Sequence, residues 1–199
     1  MVFSAIHFDY GETMKEFWKE NGKIICKLLL NQFGATFFGL MLITASTAVD
    51  MEGAWLMLIA SCFATLFYMY LIYNVLWERG GQDRIKIDGG RAIRKPLTGL
   101  KIILFANIPN IIIAIIILIS NPFAATHEWA GSMNVIGRAA ALLWEGMYSG
   151  IVAYFSPHNP IIHLLDIFPA LFMGTVAYYF GLNNFRILAL FDGKRPPKK

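Results

Sequence analysis

Long apolar runs separated by clusters of basic residues constrain this chain more than any other feature of its sequence. Of its 17 Lys and Arg residues, all except Arg138 fall within 15–27, 79–101 or 186–199. A helix needs roughly 20 apolar residues to cross a hydrocarbon core about 30 Å thick. Basic residues are enriched in the cytoplasmic loops of membrane proteins. The pattern therefore predicts a multi-spanning membrane protein and gives its loops an orientation.

The composition agrees with this class and argues against a nucleic-acid partner. Of the 199 residues, 57% are hydrophobic and 15% are charged, against about 45–50% and 25% in soluble proteins. The net charge of +4 is explained by basic groups that flank apolar spans and meet anionic lipid headgroups. We expect one membrane domain whose partners are the bilayer and, at the basic cytoplasmic segments, anionic headgroups.

The apolar runs predict an all-α integral membrane protein, built as a four-helix transmembrane bundle of two antiparallel hairpins, with both termini cytoplasmic in the cell membrane. The predicted segments are a cytoplasmic or interfacial helix in 1–23, spans 24–47 and 54–77, a basic cytoplasmic loop 78–99, a span 100–120, an external segment 121–160, a span 161–182 and a basic cytoplasmic tail 183–199. The N-terminal helix could instead extend the first span. In the loop, two Gly pairs predict turns, and 84–87 predicts a small β-hairpin.

The external segment is difficult because 134–155 is largely apolar over the length of a span. Five spans would place the basic tail outside, whereas four leave only Arg138 outside. The positive-inside bias therefore favours four spans. We expect 134–155 to be an amphipathic external or partly inserted helix. Arg138 and Glu145 would dock it, with Arg138 paired to Glu145 or Asp166. The alternative is that the four-span arrangement is wrong.

His163 and Asp166 are the clearest candidates for chemistry, because ionisable groups within a span are costly and rare. They lie one turn apart, and Pro169 frees a backbone carbonyl in the same region. This set could bind an ion or relay a proton. Additional external ligands could come from four residues: His127, Glu128, Glu145 and His158. The alternative is a shallow Asp166 that reaches water or pairs with Arg138. No strong ligand spacing is present, so we expect no metal site and no cofactor.

A second cluster is uncharged and lies in the cytoplasmic halves of the spans. Its members are Asn31, Gln32, Asn74, Asn107 and Asn110. Pro109 separates the last two and predicts a kink. Kinked helices build substrate sites in transporters, but amides also join helices by hydrogen bonds. Interhelical bonding is the favoured interpretation, and a ligand site is the alternative.

A third feature concerns packing. Small residues recur along the last span and form a seam: Ala170, Gly174, Ala177 and Gly181. Small residues let helix backbones approach closely in lipid. The seam could serve the internal bundle or a helix of a partner protein. No serine or cysteine lies in a nucleophile elbow, and we assign no catalytic residue.

These observations favour a transport-class protein or a membrane subunit of a transport complex. Four helices are few for a complete transporter, so we expect a homo-oligomer or a larger membrane complex. The alternative is an accessory membrane protein without activity of its own. A membrane enzyme that uses His163 and Asp166 at the outer face is the third hypothesis.

Overall fold

The computed structural model describes residues 14–49, 54–155 and 159–185, and every regular element within these ranges is helical. The elements are α1 (Met14–Val49), α2 (Ala54–Asp88), α3 (Thr98–Ala106), α4 (Ile108–Ser120), α5 (Glu128–Glu145), α6 (Ser149–Phe155), α7 (Ile162–Leu165) and α8 (Ile167–Leu182), with 3-10 turns at Asn121–Phe123 and Gly146–Tyr148. The expectation of an all-helical fold is confirmed. The predicted cytoplasmic tail lies mostly outside the described residues.

Several of these helices have the length and polarity of membrane spans. In the described residues, three helices qualify: α1, most of α2 and the continuous stretch Ile162–Leu182. The pair α3–α4 becomes a fourth if it is counted as one span bent by 54°. Large apolar side chains such as Leu30, Phe37 and Leu66 point outward and are exposed. Apolar surface of this extent suits lipid better than water.

The bend between α3 and α4 falls at Asn107, two residues before Pro109. Proline has no N–H, so it cannot donate to the carbonyl one turn earlier. The side-chain amide of Asn107 donates to the carbonyl of Ile103 at 2.8 Å, which is the carbonyl that also accepts a hydrogen bond from the backbone N–H of Asn107 at 3.0 Å. The kink predicted from Pro109 is therefore present as a break in the helix.

At the N-terminal side, α1 is one uninterrupted helix from Met14 onward, rather than a separate interfacial helix followed by a span. Phe17 and Trp18 pack against Phe105 of α3, with ring centroids 5.1 Å and 5.9 Å away. Because these aromatic rings are held by another helix, the first turns of α1 have a packing partner that favours continuation of the same helix.

The turn predicted at the second Gly pair is confirmed, and Gly90 there has a φ of 68°. The turn predicted at the first Gly pair and the β-hairpin at 84–87 are wrong, because α2 continues to Asp88. The reason is packing at Gly80. A Cβ there would collide with the carbonyl of Tyr178 and lie 3.0 Å from Gly181 Cα. The first Gly pair therefore permits contact with α8 rather than a turn. An ion pair one helical turn long, Arg79–Asp83 at 2.9 Å, supports the helical conformation.

The small-residue seam of α8 faces the interior of this chain. Its four members, Ala170, Gly174, Ala177 and Gly181, are all buried. A Cβ on Gly174 would lie 2.8 Å from Leu76 Cδ1 and 2.9 Å from Ile103 Cβ. The seam therefore packs against α2 and α3.

Residues 128–155 form two helices joined by a turn, which we call the inserted hairpin, instead of one helix over 134–155. A Cβ on Gly137 of α5 would lie 2.9 Å from Ile117 of α4. The turn packs between α1 and α2, where a Cβ on Gly39 would lie 2.7 Å from Met147 Cα. On the return path, Gly150 of α6 packs against the carbonyl of Met57.

We call the end of the bundle near residues 49–54 the hairpin end and the end near 79–101 the basic end. The carbonyl of Trp144, at the tip of the inserted hairpin, accepts a hydrogen bond from Thr36. Thr36 lies 13 residues before Val49. At 1.5 Å per residue, Thr36 is therefore about 20 Å from the hairpin end. The segment therefore enters the bundle deeply, as a partly inserted element rather than a helix on its surface.

Candidate functional site

Three ionisable side chains meet where the inserted hairpin contacts α7 and α8. Glu145 is the last residue of α5, His163 lies in α7, and Asp166 lies between α7 and α8. Each offers one ligand atom, and these atoms all lie within 4.8 Å of one another. His163 Nδ1 is 3.5 Å from Glu145 Oε2. We call this group the Glu–His–Asp cluster.

Two helix interruptions place these side chains. α5 ends at Glu145 because the chain enters the tight turn Gly146–Tyr148, and a Cβ on Gly146 would lie 2.7 Å from Leu40 Cδ2. α7 ends just before Asp166, three residues ahead of Pro169, whose missing N–H weakens the helix there. Glu145 therefore stands at the end of a helix. Asp166 stands at a one-residue interruption of the stretch Ile162–Leu182 and keeps helical backbone angles.

The cluster is buried and poorly satisfied by the protein itself. Glu145 is 4% exposed and His163 is 8% exposed. Among the described residues, both carboxylate oxygens of Glu145, Oδ2 of Asp166 and Nδ1 of His163 have no hydrogen-bond partner. Burying polar atoms without partners costs free energy, and buried polar groups in proteins are normally paired. A cation or a shared proton would reduce this cost.

A cavity of about 230 Å³ gives access to the cluster. All three ionisable residues line it, together with the hydroxyl-bearing Tyr148 and Ser149 and with apolar residues of α5 and α6. The hydroxyl of Tyr148 is buried and has no partner among the described residues. The lining of the cavity is therefore mostly apolar and includes several unpaired polar atoms. This composition is typical of small-ligand sites.

Arg138 also lines this cavity, but it donates to side-chain amides. Its Nε donates to Asn134 Oδ1 at 2.9 Å, and one terminal nitrogen donates to Asn121 Oδ1 at 3.1 Å. Asn134 in turn donates to Ser120 Oγ at 3.1 Å. In the described ranges, Arg138 is thus bonded toward the end of α4, and the expected ion pair with Glu145 or Asp166 is not formed.

The predicted amide residues separate into two groups. Gln32, Asn107 and Asn110 are buried and form one network, which we call the amide network. Gln32 Nε2 donates to Asn110 Oδ1 at 2.7 Å, and Asn110 Nδ2 donates to Asn107 Oδ1 at 3.1 Å. Asn31 is partly exposed on the neighbouring face of α1. Asn74 is exposed.

The amide network fixes the tip of the inserted hairpin. Gln32 Nε2 and Thr36 Oγ1 both donate to the carbonyl of Trp144, at 3.3 Å and 2.9 Å. Tyr68 of α2 donates to Gln32 Oε1 at 3.3 Å. These bonds connect α1, α2, α4 and α5 immediately beside Glu145. The network is thus interhelical bonding that positions a member of the Glu–His–Asp cluster.

Sequence reasoning missed the residues that complete this arrangement. Thr36 and Tyr68 carry no local motif, although Thr36 lies four residues after Gln32 and so shares its helical face. A third contact was also missed, in which Ser61 donates to the carbonyl of Met147. The signal in each case is a hydroxyl on the buried face of a long apolar helix.

Comparison with known protein families, with curated proteins and with solved structures gives no match for this chain.

Proposed function

We propose that this chain is a transport-class membrane protein, or the membrane subunit of a transport complex. Its transported substrate would be a cation that binds to the Glu–His–Asp cluster. The observation that carries the proposal is the convergence of Glu145, His163 and Asp166 within 4.8 Å. Ionisable groups at this depth in a bundle typically mark ion pathways or proton relays. The cavity beside them supplies a route of entry.

A divalent transition metal suits the donor set. Imidazole nitrogen and carboxylate oxygen are common ligands of such ions, at about 2.0–2.2 Å. Two ligands of a tetrahedral ion at that distance are about 3.4 Å apart, which is close to the 3.5 Å between His163 Nδ1 and Glu145 Oε2. The three protein ligands leave further coordination positions open, as exchange of a transported ion requires.

The membrane arrangement belongs to the same proposal. Counting α3–α4 as one bent span gives four spans, and the basic end and both termini would then lie in the cytoplasm, since basic residues favour that side. The membrane would be the cell membrane, with anionic headgroups at the basic end. The Glu–His–Asp cluster would then be reached from the outer side, through the cavity beside the inserted hairpin.

Assembly with further subunits is also proposed, because four spans are few for a complete transport path. We propose a homo-oligomer or a larger membrane complex. The exposed apolar faces of α1 and α2, which include Phe37 and Leu66, supply area for such contacts. The small-residue seam does not, because it is occupied by α2 and α3 of the same chain. This weakens the accessory-protein alternative, for which a free seam would be a docking surface.

Metal entry into proteoliposomes tests the proposed function. Wild-type protein should admit Mn²⁺ to a trapped metal-sensitive dye, and Glu145→Gln should slow the initial rate about tenfold or more, since hydrogen bonds and ligation to charged groups contribute about 1.5–3 kcal/mol. Glu128→Gln is the matched control, because Glu128 is an exposed carboxylate at the opposite end of α5. Wild-type vesicles no faster than protein-free vesicles would contradict the proposal.

Proton transfer is the second candidate, favoured by the approach of His163 to Glu145. A proton shared between imidazole and carboxylate would satisfy the same atoms without a metal. In this case a pH gradient alone should acidify the vesicle interior, and Mn²⁺ should not enter. An enzyme acting through His163 and Asp166 would instead show turnover of a substrate without flux of either ion.

A further inference from the structure

A second polar cavity lies at the basic end, on the opposite side of the bundle from the Glu–His–Asp cluster. It measures about 430 Å³ and is lined by residues of α1, α2, α3, α8 and the connection before α3. We call it the basic pocket. Its cationic members are Arg79, Lys86, Arg91 and Lys95. Cavities of this volume commonly hold small molecules or headgroups.

The floor of the pocket contains a buried arginine with unused donor capacity. Arg79 is 7% exposed, and its terminal nitrogen pairs with Asp83 at 2.9 Å. Its Nε has no hydrogen-bond partner among the described residues. Arginine presents a planar fork of donors that matches phosphate oxygens. An anion in the pocket would supply the missing acceptor.

The acidic residue beside Arg79 is already engaged by the protein. Asp83 accepts a hydrogen bond from the Tyr178 hydroxyl at 2.9 Å and pairs with Lys86 at 3.5 Å as well as with Arg79. Besides Lys95, three cationic side chains line the pocket, Arg79, Lys86 and Arg91, against the carboxylates of Asp83 and Glu20. The excess positive charge therefore favours an anionic ligand.

An unpaired acceptor on α1 also lines the pocket, and it restricts the chemical class of the ligand further. Asn21 of α1 is 1% exposed, its Nδ2 donates to the carbonyl of Phe17 at 3.2 Å, and its Oδ1 has no partner among the described residues. A phosphate oxygen cannot satisfy this atom, because both are acceptors. A hydroxyl on the same ligand can do so.

The depth of the pocket fits the headgroup layer of a bilayer. Arg79 lies 25 residues after Ala54, which is about 38 Å along α2 at 1.5 Å per residue. The hydrocarbon core is about 30 Å thick, and the bilayer is about 40–45 Å thick with its headgroups. If α2 begins at one interface, Arg79 reaches the phosphates of the other.

We propose that the basic pocket binds a phosphate ester that carries a free hydroxyl, and that the source of this group is a phosphatidylglycerol-type lipid. The phosphate would accept hydrogen bonds from Arg79 and Arg91, and the hydroxyl would donate to Asn21. This site is separate from the Glu–His–Asp cluster. It rests on the proposed membrane arrangement but not on transport of a cation. It would anchor α1, α2 and α3 to one headgroup and so hold the basic end together.

Native mass spectrometry of the full-length protein tests this site by titration of delipidated protein. Phosphatidylglycerol should bind at least about tenfold more tightly than phosphatidylcholine, and Arg91→Gln or Arg79→Gln should remove most of this preference. Arg84→Gln is the matched control, because it removes the same charge from α2 but Arg84 pairs with Asp88 and does not line the pocket. If Arg79→Gln fails to fold, the lipid preference of Arg91→Gln, a substitution at an exposed position, tests the proposal on its own.

Two further arms identify the ligand. Phosphatidylmethanol, which lacks the hydroxyls, should bind to wild-type protein more weakly than phosphatidylglycerol does. The two lipids should bind to Asn21→Leu with equal affinity. Soluble glycerol phosphate that displaces the lipid would support the phosphate-ester site and assign its source to a soluble molecule. Equal loss of lipid in Arg91→Gln and Arg84→Gln, or equal binding of phosphatidylcholine, would overturn the proposal.

Discussion

Glu145 shows how one residue acquires its setting from contacts distant in the chain. Its carboxylate is brought beside His163 by the inserted hairpin, and the backbone carbonyl just before it is held by Gln32 and Thr36. Sequence spacing alone indicates only that His163 and Asp166 share a helical face. It offers Glu145 only as one of four possible external ligands and cannot show that α5 ends beside α7, because that depends on packing between elements.

Gln32 is the residue on which the amide network depends. Gln32→Leu should lower the free energy of unfolding by about 0.5–2 kcal/mol, because Asn110 loses a donor and Tyr68 loses an acceptor, and interhelical hydrogen bonds in membrane proteins fall in this range. Thermal unfolding in one detergent would measure the loss. Asn31→Leu, on the partly exposed neighbouring face, should change it by less. Equal effects would show that the network is not stabilising.

At the scale of the element, close glycine contacts decide where helices continue. Two adjacent glycines in α2 differ in their surroundings: a Cβ on Gly80 would meet the backbone of α8, and one on Gly81 would meet nothing within 4 Å. From sequence, such a pair predicts a turn. Tertiary packing overrides that local preference, since the missing side chain at Gly80 is used for approach of two helices.

The adjacent glycines therefore provide a matched pair of substitutions. Gly80→Ala should destabilise the protein by about 1–3 kcal/mol, because the added carbon forces α2 and α8 apart. Gly81→Ala should be neutral or stabilising by up to about 1 kcal/mol, because alanine favours helix. Unfolding midpoints of the two variants test this. Similar values for both would contradict the assigned α2–α8 contact.

Helix interruptions follow the same division between local and tertiary causes. Pro109 predicts a kink, and the chain breaks at Asn107 with a bend of 54° between α3 and α4, since proline acts on the turn before it. The turn at Gly146–Tyr148 has no proline. It arises because Gly146 and Gly150 pack closely against α1 and α2. The sequence does not predict which helix a glycine in an apolar run will contact.

For the whole molecule, apolar run length and composition predict an all-helical protein with several potential spans, because each run must satisfy its backbone internally in lipid. The positions of the charged residues add an orientation. They do not predict that 128–155 folds back into the bundle, since both a surface helix and an inserted hairpin keep the same parity of crossings.

The orientation is open to a direct check. Reporter fusions after Lys199 should be active only with a cytoplasmic reporter, and fusions after Pro157 only with an external one, because the proposed four spans and inserted hairpin would keep the basic end inside. A reporter found outside after Lys199 would require an odd number of crossings. The inserted hairpin would then have to be reassigned as a crossing segment.

The central claim is that the inserted hairpin and α7–α8 together build a cation site, and X-ray absorption at the zinc edge tests it most directly. Full-length protein carrying one equivalent of Zn²⁺ should show nitrogen and oxygen ligands at about 2.0–2.2 Å with an imidazole signature. His163→Gln should lose that signature, and His127→Gln, at an exposed position, should retain it. Failure of the wild-type protein to retain zinc, or an imidazole signal that persists in His163→Gln, would contradict the claim.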